Sequence, residues 1–162
     1  MKPPVLCSAL LLLCAAAFPA QEAYTGPRPP KTDVPYLMHA DNLVETEVSQ
    51  AREQQRGKDE VAYIVPGASS PARTPLAEPI FLIEADKISP EALGLYRMEV
   101  KNGNREVVIS QKKRGARPLR LMVTRIEGRL FRVEVNESLG LENGEYSLSP
   151  QGSNDVFCFQ VY

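Results

Sequence analysis

A chain of 162 residues with a formal net charge of −1 has no bulk attraction for nucleic acid. Its one His and three Cys leave little material for a zinc site or a disulfide scaffold.

Residues 1–20 read as a secretory signal peptide. Lys2 is their only charge, the apolar run Val5–Ala17 follows, and small residues close the segment. Cleavage after Ala17 satisfies the small-x-small rule through Ala15 and Ala17, whereas cleavage after Ala20 puts the bulky Phe18 upstream. A lipid anchor on Cys14 is disfavoured by the large Leu13 before it. The run is shorter than the ~20 apolar residues of a membrane span, and no second such stretch follows. The expectation is therefore an exported protein, periplasmic or secreted, that is not integral to a membrane.

Removing the signal takes Cys7 and Cys14 with it. Cys158 is left alone, so no intramolecular disulfide is expected and stability must come from packing. The remaining chain of about 140 residues can bury roughly 70% of its surface.

Nine of the fourteen prolines lie between residues 27 and 90, so the N-terminal half is the more interrupted. Residues 21–35, QEAYTGPRPPKTDVP, carry little apolar content and read as a flexible or polyproline-like leader. Residues 36–78 form a helix or hairpin segment ahead of an antiparallel β domain at 79–162, with 36–162 as one folded unit.

Asp41–Arg56 is the one candidate helix. Asp41 or Asn42 caps it, Gly57 stops it, and Leu43, Val44, Val48 and Ala51 make a thin apolar stripe. The competing reading is a strand from Leu43 to Val48 paired with Val61–Val65 across a long 49–60 loop.

Beyond Val61 the pattern is β. VAYIV ends at Pro66-Gly67, 68–79 is a loop or edge crossing, and IFLIE after Pro79 is apolar enough to be a buried strand. A two-residue turn at Gly103-Asn104 pairs Val100 with Val107, Met98 with Ile109 and Lys101 with Glu106. A turn at Asn102-Gly103 keeps the same apolar face. A second hairpin joins Leu119–Arg125 to Arg129–Val135 through Ile126-Glu127-Gly128. It sets Leu119 against Val135, Leu121 against Val133 and Val123 against Phe131, with Gly128 as the left-handed residue. The last pair is GEYSLS and DVFCFQVY, joined by PQGSN. Both faces of the terminal strand are apolar, which places it inside a sheet. Seven or so short strands with regular turn signals predict a mainly β protein, an antiparallel immunoglobulin-like β-sandwich with one possible N-terminal helix.

Leu141, Gly144, Glu145 and Tyr146, followed by Phe157 and Phe159, resemble the closing hairpin of an uncharacterised family of exported bacterial β-sandwich proteins. Pro79–Phe81 and Leu95-Tyr96-Arg97 are similar too, so the resemblance covers about the last half of the chain. It implies a fold and an exported bacterial setting, and no activity.

Catalytic material is sparse. His39, the only imidazole, lies beside the leader with no nucleophile motif around it. Cys158 sits in an apolar strand, where burial makes a thiol inert. Glu99, Glu106, Glu134 and Glu145 lie on strands and alternate with apolar residues. A solvated sheet face accounts for them, and a catalytic carboxylate pair is the alternative. No metal or glycine-rich phosphate motif is present, and no cofactor is expected. Lys112, Lys113, Arg114, Arg117 and Arg120 place five basic residues in nine, a candidate grip for an anionic polymer or a solvated loop that discourages edge pairing. Asn136-Glu137-Ser138 is a formal glycosylation sequon, read as accidental. Together these features predict a non-enzymatic exported module that binds a protein or cell-envelope component. The alternatives are a small extracytoplasmic hydrolase using the strand carboxylates, and an anion binder using the 112–120 loop.

Overall fold

The computed structural model describes residues 23–110, 115–136, 138 and 140–162. The expected signal peptide, Lys112, Lys113 and Arg114 of the basic loop, and Glu137 of the sequon lie outside the described residues.

Among the described residues thirteen short strands form. The N-terminal half supplies β1 (Tyr36–His39), β2 (Asn42–Glu45), β3 (Glu47–Gln50), β4 (Arg52–Gly57), β5 (Glu60–Pro66) and β6 (Arg73–Thr74). The rest supplies β7 (Ile80–Glu84), β8 (Leu93–Lys101), β9 (Asn104–Ser110), β10 (Leu121–Glu127), β11 (Leu130–Val135), β12 (Gly144–Pro150) and β13 (Asp155–Val161). One sheet has the order β10-β11-β7-β1-β2. The other runs β3-β13-β12-β8-β9-β5-β4, with the short β6 parallel to β13. Both sheets combine strands from before and after residue 79.

The two sheets pack face to face as an antiparallel β-sandwich. Leu37, Phe81, Ile83 and Val133 of the first meet Leu95, Leu148, Phe157 and Phe159 of the second. Phe159 anchors this layer, edge-on to Phe81 at 5.1 Å and stacked on Tyr146 at 5.6 Å between ring centroids. Each such side chain contributes about 2 kcal/mol of burial.

The larger sheet has a second apolar face. β3 and β4 end its strand order on opposite sides, yet only Ala51 separates them in the chain. They are two halves of one strand bent at Ala51, so the sheet rolls back on itself. Its concave interior holds a separate cluster of Ala51, Val65, Met98, Val107, Val156 and Cys158. This explains why β13 is apolar on both sides. Phe157, Phe159 and Val161 fill the sandwich, while Val156 and Cys158 fill the roll.

The candidate helix at 41–56 does not form; β2, β3 and β4 occupy that stretch. A helix would put Val44 and Ala51 on one stripe. The extended chain instead delivers Val44 to the sandwich and Ala51 to the roll, two cores in place of one. The competing reading is also corrected. β2 pairs with β1, β3 with β13, and most of the supposed loop is β4, which pairs with β5 around Lys58-Asp59. The one helical element among the described residues is a single 3-10 turn, Pro90–Ala92.

The leader has fixed contacts along its described part. Asp33 accepts backbone N–H bonds from Asp86, Lys87 and Ile88 at 2.8–3.0 Å, Thr32 bridges Glu84, and Arg28 pairs with Glu127.

The first hairpin takes the second of its two expected turns and the next one departs from its expected register, while the apolar faces hold. The first turn is Asn102-Gly103, with φ of 50° and 76°, so Lys101 faces Asn104 and Glu99 faces Glu106. Two successive positive φ values match the strand twist, which favours this placement. In the second hairpin a bulge between Arg125 and Glu127 absorbs a residue and moves the turn to Gly128-Arg129. Leu121 therefore faces Val135 and Val123 faces Val133, while Leu119 donates its backbone N–H to Leu95 at 2.7 Å. The closing hairpin forms as expected, with β13 flanked by β12 on one side and β3 and β6 on the other.

Candidate functional site

The pleat decides which side chains enter the roll. In one cross-strand row Glu47 faces Cys158, Cys158 faces Ser147, and Ser147 faces Tyr96. In another, Glu53 faces Tyr63 and Tyr63 faces Val107. Partners directly opposite share a face. Both rows thus line the concave side.

One end of the roll is closed by charge. Arg105, 1% exposed, donates two parallel bonds to Glu47 at 2.6 and 2.8 Å, and others to the carbonyls of Gly67 and Pro66. Glu145 stands 3.8 Å from the same guanidinium and accepts the backbone N–H of Ser70 at 2.9 Å. The bond to Glu47 raises the Arg105 pKa above its ordinary value, so this cation is permanent. Burial pulls the Glu47 carboxyl upward, but the Arg105 and Ser70 bonds outweigh it and the net shift is down. Four hydrogen bonds and the neighbouring Glu145 hold the guanidinium, which makes this cluster a structural plug.

The other end is open. β8 and β9 pair only near their shared turn and then splay. Residues 115–119 bridge the gap, Ala116 donating to Val108 and Leu119 to Leu95. Beneath them lies a half-open pocket of about 590 Å³. Its floor is apolar, with Val65, Met98, Val107, Ile109 and Val156. Tyr63 and Tyr96 line its wall, and loop residues including Asn154 frame its mouth. Burial, and next the neighbouring Tyr63, raise the Tyr96 hydroxyl above its ordinary pKa, so it remains neutral. A concave apolar site with a few polar groups at its edge is the usual form of a small-ligand pocket.

The described residues among those singled out from the sequence are not gathered there. Glu99 and Glu106 do face each other, but Lys101 lies 3.0 Å from both, and Arg56 holds the second oxygen of Glu106 at 2.8 Å. Glu145 belongs to the plug, and Glu134 pairs with Arg132 on the other sheet. His39 shares a 3.0 Å hydrogen bond with Thr74. Cys158 is fully buried, and burial pushes its thiol up to about 12. Of the basic loop, Arg117 and Arg120 are described and exposed. Among the described residues no group of three His, Cys, Asp or Glu could hold a metal ion, and no helix is long and apolar enough to cross a membrane.

The sequence reading missed Glu47, Arg105, Tyr63 and Tyr96. One signal was present: Arg105 lies in phase with Val107 and Ile109, a charge on the apolar side of its strand. Glu47 and the tyrosines carried none, because the roll that joins them is a long-range event.

Comparison of the chain with known protein families, curated proteins and solved structures returned no match.

Proposed function

We propose that this protein is an exported, non-enzymatic binding module that takes a small, largely apolar component of the cell envelope into its rolled sheet. The carrying observation is the half-open pocket of about 590 Å³, floored by Met98, Val107 and Ile109. That volume lies within the usual range for small-ligand sites. Burying two or three methylenes there contributes about 2 kcal/mol.

The test is titration with N-phenyl-1-naphthylamine, a neutral dye that fluoresces in apolar surroundings. Saturable enhancement is expected, and Ile109→Trp, which fills the pocket from its partly exposed side, is expected to remove it while the melting curve stays cooperative. Enhancement that never saturates, or that survives this substitution unchanged, overturns the proposal.

A further inference from the structure

Resting on that reading, we infer that the pocket's ligand is a cationic amphiphile, an apolar body bearing an ammonium or quaternary ammonium group. Among the described residues that line the pocket, the charged side chains have one sign. Its described lining includes two acidic side chains, Glu53 and Glu91, and no Lys or Arg. Both are exposed at the opening, over an apolar floor. Glu53 faces Tyr63 directly across β4 and β5. Glu91 sits in the 3-10 turn, where Ser89 donates a 3.1 Å hydrogen bond to its carboxylate. Among the described lining residues an anionic headgroup would meet two carboxylates and no countercharge, whereas a cation would be attracted by both.

The aromatic wall favours the same ligand. Tyr63 and Tyr96 are both half-buried and line the same wall, with Tyr63 near enough to help raise the Tyr96 hydroxyl. Aromatic faces attract alkylammonium groups, and beside carboxylates they form the recurring arrangement for quaternary ammonium recognition. The apolar body would lie on Val65, Met98, Val107 and Ile109, as the proposed function requires. The Arg105 plug does not oppose this, because Glu47 and Glu145 neutralise its charge at the closed end.

The experiment is competition against the bound neutral dye by three probes of equal chain length, below their micelle concentrations. These are decyltrimethylammonium, decanol and decyl sulfate. The ammonium is expected to displace the dye about tenfold more tightly than the sulfate, as two exposed carboxylates would produce, with decanol between them. Raising the salt to 1 M should compress that ratio. Glu53→Gln combined with Glu91→Gln should bring it within about twofold while leaving decanol unchanged. If the dye does not bind, the pocket reading fails first. If the dye binds but ammonium and sulfate compete equally, or neither competes, the charge inference alone is overturned. A preference that survives the double substitution also overturns it.

Discussion

Arg105 and Glu47 are joined by two parallel hydrogen bonds, 2.6 and 2.8 Å long, across one end of the rolled sheet. The pair links β9 to β3, strands that do not pair with each other. Two carbonyls at the end of β5 complete the guanidinium's partners. We expect Arg105→Met to destabilise the fold by about 3–5 kcal/mol, because it leaves Glu47 and Glu145 without the cation they share. Arg105→Lys should recover little, since a single ammonium cannot reproduce the fork. Urea unfolding monitored by tyrosine fluorescence measures both, and a loss below 1 kcal/mol for the Met variant would refute the role.

Acid should loosen the molecule from two places. At Asp33 burial alone would raise the carboxyl, but three backbone N–H bonds and Lys87 outweigh it and hold it below its ordinary 3.8. Glu47 likewise sits below its ordinary 4.5. A carboxylate depressed in the folded state stabilises it fully above those ordinary values. That contribution disappears as pH falls through the lower folded values. Wild type should therefore lose stability steadily below about pH 4.5. Asp33→Asn should start lower at pH 7 and lose less on acidification, so that the two curves converge near pH 2. Parallel curves in denaturant titrations between pH 7 and pH 2 would argue against it.

Cys158 should be silent to thiol reagents in the native state. It has no exposed surface, and its thiol is pushed up to about 12, so almost no thiolate exists at neutral pH. Labelling by a chromogenic disulfide should track global unfolding, with rates following the denaturant dependence of the melt. Rapid stoichiometric labelling of folded protein would contradict this.

The β8–β9 turn offers a sharp local test. At Gly103 an added Cβ would meet nothing within 4 Å, so Gly103→Ala probes the φ of 76° and no steric clash. A cost of about 1 kcal/mol is expected from the left-handed backbone alone. Asn102→Gly, at φ 50°, should be close to neutral. Thermal melts of the two variants separate these outcomes.

Much of the C-terminal architecture was legible in the order of residues, because it depends on contacts between neighbours in the chain. The alternation of Met98 with Val100 and of Val107 with Ile109, the glycines at 103 and 128, and the two apolar sides of the last strand specify hairpins and faces locally. Registers were less secure. Moving a turn by one residue, or absorbing one in the bulge at 125–127, preserves the apolar face and changes only the partners.

Residues 41–57 show where sequence alone runs out. Their stripe of Leu43, Val44, Val48 and Ala51 fits a weak helix in isolation, and Arg52–Gly57 is exposed at every position. What makes them strands is pairing with β13, over 100 residues away, and with β5. Those ladders satisfy the backbone, while Ala51 lets one strand bend from the first partner to the second. The plug and the pocket both follow from that bend. By itself the sequence determined a β protein with apolar strands. Only the tertiary closure decided that Glu47 would meet Arg105 and that Tyr63 and Tyr96 would share a cavity, since neither contact has any local signature.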